Sequence, residues 1–124
     1  VVCFSGDGSL KMNIQEMATA AQEDVNVKIV LFNNQSLGLV HQQQNLFYGK
    51  RIMASRYERP TDFLKIAEGF GMRAVDLDPS PNPRATLADA LHTPGPCLIH
   101  ATIDPNEFVY PMVPPGAANS EMIG

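Results

Sequence analysis

Val1-Val2-Cys3-Phe4-Ser5-Gly6-Asp7-Gly8 and Val27-Lys28-Ile29-Val30-Leu31-Phe32-Asn33-Asn34 decide the fold of this chain. Each opens as an apolar run rich in β-branched residues and closes on small or polar ones, the composition of a buried strand and its end. Between Gly8 and Asn33 lie 24 residues, enough for a crossover connection, and parallel strands need one. Two adjacent parallel strands deliver Asp7 and Asn34 to the same edge of one sheet, and ligands bind at that carboxyl edge in open α/β sheets. A carboxylate and an amide oxygen, beside glycines that let backbone approach a ligand, suit Mg²⁺ holding a diphosphate.

Working outward, the pattern strand, turn, helix repeats, which predicts an α/β fold with a parallel sheet flanked by helices. The first strand runs through about Phe4. A helix is expected from Asn13, which pairs with Glu16 as a capping box, with Ile14, Met17, Ala18 and Ala21 on one face. The second strand is Val27–Phe32. Residues Leu37–Leu46 read as a short amide-rich helix, and Phe47–Arg59 as a surface loop. After Pro60-Thr61 a helix places Phe63, Ile66, Ala67 and Phe70 inward and ends near Gly71. Arg73–Leu77 is a third strand. Three prolines make Asp78–Pro83 a turn, and Asn82-Pro83 opens a helix to about His92. Cys97–Ile103 is the fourth strand. The organisation is a domain over 1–103 and a Pro- and Gly-rich arm over 104–124 that packs along something else.

The 124 residues suit one modest domain, with 44% hydrophobic residues for its core. The net charge of −4, without a basic run, gives no nucleic acid or anionic membrane a surface to bind. No apolar run approaches bilayer-spanning length. Cys3 and Cys97 lie in apolar strands and read as buried reduced thiols, compatible with a reducing compartment. The first residue is not Met and already lies in a strand, so the chain reads as a piece of a longer protein, truncated on its N-terminal side.

Asp7 has two readings: an Asp that caps its own tight turn, or, with Asn34 on the next strand, a carboxylate ligand of Mg²⁺. Gly6, Gly8 and Ser9 are placed against the diphosphate. Gly8 admits positive φ, and turn N–H groups make a nest for anionic oxygen. Ser9 either donates its hydroxyl there or solvates the turn. Asn33 either braces the strand end or touches the diphosphate region. Lys11 is no P-loop lysine, because GxxxxGK[ST] is absent. His92 sits at a helix end, where a cation suits the dipole, and His100 reads as a hydrogen-bonded core histidine. Lys50, Arg51, Arg56 and Arg59 form a solvated surface or meet a partner.

The strings Gly6-Asp7-Gly8-Ser9-Leu10, Asn13-Ile14-Gln15-Glu16, Asn33-Asn34, Leu37-Gly38-Leu39-Val40, Gln44-Asn45-Leu46-Phe47-Tyr48 and Tyr110-Pro111-Met112-Val113-Pro114-Pro115-Gly116-Ala117, in that order, resemble the acetolactate (acetohydroxyacid) synthase large subunit of the bacterial isozyme I type. The likeness spans essentially the whole chain and falls in that family's C-terminal thiamine-diphosphate-binding domain. It implies that Asp7, the Asn34 side chain and the Ser36 backbone carbonyl ligate Mg²⁺, and that Gly6, Asp7, Gly8, Ser9 and Asn34 contact the cofactor. It places Leu39, Val40 and Gln43 along a substrate channel, with His41 nearby. Where the common family member has a tryptophan, this chain has Gln43, which removes a flat apolar wall and with it the preference for 2-ketobutyrate over pyruvate and tight sulfonylurea binding. Gln42-Gln43-Gln44 also reads simply as a solvated helix face.

The resemblance further implies condensation of pyruvate with a second 2-ketoacid, with loss of CO₂, in branched-chain amino-acid (valine and isoleucine) biosynthesis in the bacterial cytoplasm. It implies a homo-oligomer, dimer or tetramer, with a small regulatory subunit. FAD belongs to a middle domain of the full-length enzyme, and the activating glutamate to an N-terminal domain, so this fragment is expected to carry no catalytic residue and to be inactive alone. Pyruvate oxidase, glyoxylate carboligase and 2-ketoacid decarboxylase share the metal pattern. A non-catalytic α/β binding module is the reading from another class.

Overall fold

The computed structural model describes all 124 residues. Four strands form one parallel sheet: β1 (Val2–Gly6), β2 (Lys28–Asn33), β3 (Arg73–Asp76) and β4 (Cys97–Thr102), in the order β1-β2-β4-β3. Pairing Gly6 with Phe32 sets β1 and β2 in register, so Asp7 and Asn33-Asn34 leave the sheet side by side. The connecting helices are α1 (Asp7–Met12), α2 (Glu16–Gln22), α3 (Gly38–Phe47), α4 (Phe63–Gly69) and α5 (Pro83–His92). No helix is long and apolar enough to cross a membrane.

Strand alternation divides the core between the two faces. Leu31 and Leu98 pack with Leu10, Met17, Phe63 and Ala67 from α1, α2 and α4 on one face. Val30, Cys97 and Ile99 pack with Ala90 from α5 on the other. Lys28, buried in β2, points its ammonium at the end of α5, donating to the Thr93 carbonyl at 2.6 Å and to that of Gly95. There the unpaired carbonyls and the helix dipole both favour a cation.

The helical ends follow their local chemistry where a cap is available. Asn82 accepts from the Ala85 N–H ahead of Pro83, and Asp62 accepts from the Lys65 N–H to start α4. Gly71 closes α4 at φ +82°. The Asn13–Glu16 capping box does not form. Asn13 instead ends α1, and only its carbonyl serves Glu16, because a helix already begins at Asp7.

Three further expectations change. Cys3 is exposed, unlike Cys97, because β1 is an edge strand; on its other face Phe4 (69% exposed) stacks on Phe32 of β2, ring centroids 6.0 Å apart. Phe70 lies at the α4 end, partly in solvent. The 47–59 segment is mostly exposed but not merely a surface loop: Ser55 is fully buried, and Arg56 bridges Ser36 in antiparallel fashion.

Candidate active site

β1 runs without a turn into α1. Gly6 is extended (φ −84°, ψ 161°) and Asp7 is already helical, its Oδ1 accepting the Gly8 N–H at 2.8 Å. Gly8 does not adopt positive φ. Glycine is required there for room: a Cβ would lie 3.1 Å from both Leu37 Cδ2 and the Tyr57 hydroxyl.

The loop after β2 is wound tightly by its two asparagines. Asn33 Oδ1 accepts the Gln35 N–H at 3.1 Å, and Asn34 Oδ1 accepts the Ser36 N–H at 3.0 Å, two successive side-chain turns. They hold Gln35 at φ +54°, a left-handed conformation that disfavours a residue with a Cβ. The segment 55–57 backs this loop, with Leu37 N–H donating to Ser55 at 2.7 Å and Tyr57 N–H to Gln35 at 2.9 Å.

Asp7, Asn34 and Ser36 line one cleft of about 520 Å³ at the carboxyl edge, with Gly6, Gly8 and Ser9. Asp7 is 2% exposed, and its Oδ2 is buried without any partner. Burial pushes the Asp7 carboxyl up, against the Gly8 and Gln35 N–H groups and the Lys11 charge. Ser36 is buried too; its hydroxyl has no partner and its carbonyl accepts no backbone hydrogen bond. An orphaned carboxylate oxygen carries a large desolvation penalty. A hard cation relieves it, and the oxygen-only donor set of Asp7, Asn34 and Ser36 fits Mg²⁺.

Tyr57 and Lys11 close the side of this corner. Lys11 Nζ stands 3.5 Å from the Tyr57 ring centroid, and burial together with the Asp7 charge pushes the Tyr57 hydroxyl up.

Leu39 and Val40 of α3 line the same cleft, whereas Gln43 turns to solvent and does not. The glutamine that does line it is Gln42, 1% exposed. Its amide makes two hydrogen bonds to the arm, donating to the Val109 carbonyl at 2.8 Å and accepting from the Val109 N–H at 3.0 Å. Ile103, Pro105 and Val109 also line the cleft. His41 is buried against the Phe108 ring with neither nitrogen partnered.

Behind the loop, Asn33 is fixed from the sheet. Its Nδ2 lies 3.0 Å from His100 Nε2, and His100 Nδ1 lies 3.0 Å from Asp76 Oδ1. Asp78 binds the Thr102 N–H at 3.0 Å and its hydroxyl.

Sequence patterning singled out Asp7 and Asn34, and the family resemblance added Ser36, but neither pointed to Gln42, Tyr57 or Asp76. Gln42 is indistinguishable from its neighbours in a run of three glutamines until the helical phase is known. The placement of Tyr57 depends on a long-range bridge to Ser36.

A family model described as thiamine pyrophosphate enzyme, C-terminal TPP binding domain, matches residues 1–101. The chain is 57% identical over 124 residues to the acetolactate synthase isozyme 1 large subunit of Escherichia coli (strain K12), covering all of this chain and 22% of that protein. It is 44% identical over 123 residues to the isozyme 2 large subunit of the same organism, covering 99% of this chain and 22% of the relative. With the acetolactate synthase large subunit of Porphyra purpurea it shares 45% identity over 125 residues, covering all of this chain and 21% of that protein. The chain thus spans about a fifth of the length of the relatives it matches.

Proposed function

Because the chain belongs to the thiamine pyrophosphate enzyme family, as its C-terminal cofactor-binding domain, we propose that it holds the Mg²⁺ and diphosphate of thiamine diphosphate in the catalytic subunit of an acetolactate synthase. The observation that carries this reading is the buried, unpartnered Asp7 Oδ2 in a cleft shared with Asn34 and Ser36. Asp7 and the Asn34 amide oxygen supply side-chain ligands, and the Ser36 carbonyl supplies a third oxygen. Asn34 Oδ1 has a second lone pair beside the one its Ser36 hydrogen bond uses. Gly6, Gly8 and Ser9 form the diphosphate side.

The bound cofactor supplies the carbanion chemistry for decarboxylating pyruvate and joining the two-carbon unit to a second 2-ketoacid. The residues of this chain bind it. Asp7 would hold the cation as a carboxylate anion, the ion's charge offsetting the burial that otherwise pushes its carboxyl up. Leu39 and Val40 give the cleft apolar surface. Val109, held by Gln42, adds a further apolar side chain to the cleft. On this reading the isolated chain is inactive. The activating glutamate, the FAD site and the partner surfaces for a homo-oligomer and a small regulatory subunit belong to the full-length enzyme. That enzyme acts in branched-chain amino-acid biosynthesis in the cytoplasm.

Calorimetric titration of the full-length enzyme with thiamine diphosphate, with and without Mg²⁺, tests the site. Mg²⁺-dependent binding in the wild type and its loss in Asp7→Ala are expected. Binding independent of Asp7 would overturn the assignment. Product analysis with pyruvate tests the reaction: acetolactate supports it, and acetate or acetaldehyde assigns the chain to an oxidase or a decarboxylase.

A further inference from the structure

We propose that His100 is a positioning residue for the cation site: with Asp76 it locks the Asn33 amide in the one orientation that shapes the loop carrying Asn34 and Ser36. This rests on the reading of Asn34 and Ser36 as cation ligands.

The sheet register sets up the contact. Asp76 of β3 pairs with His100 of β4, and His100 pairs with Leu31, two residues before Asn33 on the same face of β2. A row of polar side chains therefore crosses three strands and ends at the loop. Asn33 is 6% exposed, so an unmatched donor or acceptor there would have no water to turn to.

Donor and acceptor roles along this row admit one consistent assignment. The Gln35 N–H needs an oxygen, and Asn33 Oδ1 supplies it at 3.1 Å. The Asn33 NH₂ must then face the ring, and it lies 3.0 Å from His100 Nε2. That nitrogen must carry a lone pair, so the ring proton resides on Nδ1. There Asp76 Oδ1 accepts it at 3.0 Å. The carboxylate selects the tautomer, and the tautomer selects the amide orientation. With the opposite tautomer, an N–H would face the Asn33 NH₂. The amide would turn over, presenting NH₂ to the Gln35 N–H, and the loop would lose the bond that holds Gln35 at φ +54°.

The consequence reaches the site directly. Gln35 sits between Asn34 and Ser36, and its N–H also favours the charged form of Asp7. A histidine serving only to fill the core would be satisfied by Asp76 alone. Its second nitrogen is spent on the loop.

The test uses the full-length enzyme and compares Asp76→Asn, His100→Leu and His100→Gln by Mg²⁺-dependent thiamine diphosphate titration, with the Gln35 amide exchange rate as a readout independent of turnover. Asp76→Asn is isosteric but removes the tautomer choice. It and His100→Leu are expected to weaken Mg²⁺-dependent binding by roughly 10–100-fold, the range for groups that orient metal ligands, and to speed Gln35 exchange. Saturating Mg²⁺ and cofactor should restore kcat, with the 2-ketoacid KM unchanged. The glutamine amide of His100→Gln can accept from Asn33 and donate to Asp76, so it should retain most of the affinity. Wild-type affinity in Asp76→Asn overturns the proposal. So does His100→Gln binding as weakly as His100→Leu, since the loss would then follow packing. Should His100→Leu fail to fold, Asp76→Asn and His100→Gln still decide. Asp7→Ala run alongside separates the layers: if it binds like wild type, the ligand reading fails, whereas its loss of binding with Asp76→Asn unaffected sinks only the role of His100.

Discussion

Gly38→Ala sets two physical effects of one methyl group against each other. Gly38 begins α3, and it is absent from the residues with positive φ. Alanine there ordinarily stabilises a helix by up to about 1 kcal/mol. Its Cβ, however, would sit 2.9 Å from Asn34 Nδ2, where ordinary contact begins at 3.4 Å. The Asn34 amide must retreat by about 0.5 Å, the shortfall between those two distances. Mg²⁺ demands near-ideal octahedral oxygens at about 2.0–2.1 Å, so a retreat of that size detaches a ligand. The expected loss is roughly 10–100-fold in Mg²⁺-dependent thiamine diphosphate affinity, or about 1.4–2.7 kcal/mol. Thermal unfolding without cofactor should show a midpoint equal to or above the wild type. Gly69→Ala is the control: it lies in α4 with nothing within 4 Å of its added Cβ, so stability should rise without any change in binding. Wild-type cofactor affinity in Gly38→Ala would refute the placement of Asn34 at the cation.

Gln42→Ala should free the arm: two buried hydrogen bonds to Val109 are lost, a destabilisation of about 1–3 kcal/mol, read as faster amide exchange at Val109 and proteolysis within 104–124. At Asp78, burial pushes the carboxyl up, but hydrogen bonds from the Thr102 hydroxyl and N–H, with His100 nearby, outweigh it and hold it below the ordinary range. A lowered folded-state value means stabilisation present above the unfolded value of about 4 and lost as pH falls through the folded one. The stability difference between wild type and Asp78→Asn should therefore be full near neutrality and close below that pH. Since Asp78 is substantially exposed, that difference should be only a fraction of a kcal/mol.

The sheet was legible because each strand is an apolar run closed by a chemically marked end, and because Asp7 and Asn34 stand at the ends of neighbours paired from Gly6–Phe32 backwards. The helix after Asn82-Pro83 was equally plain, since a cap and a first-turn proline act locally. The capping box at Asn13 misled for the converse reason. Its local chemistry is sound, but α1 begins six residues earlier, where α1 buries Leu10 against β2. The role of Gly8 was misread as conformational freedom because its crowding comes from Leu37 and Tyr57, far along the chain. Cys3 was placed inside because an edge strand and a central one share a composition. The Asp76–His100–Asn33 row was invisible for a different reason: it joins three strands whose order, β2-β4-β3, no local pattern encodes.

Anomalous diffraction from crystals of the full-length enzyme grown with thiamine diphosphate and Mn²⁺ in place of Mg²⁺ tests most directly whether Asp7 and Asn34 meet at one cation. A single peak is expected at coordination distance, about 2.1 Å, from the Asp7 carboxylate, the Asn34 amide oxygen and the Ser36 carbonyl. A peak elsewhere, such as beside Asp76, Asp78 and His100, with Asp7 and Asn34 unliganded, would contradict it.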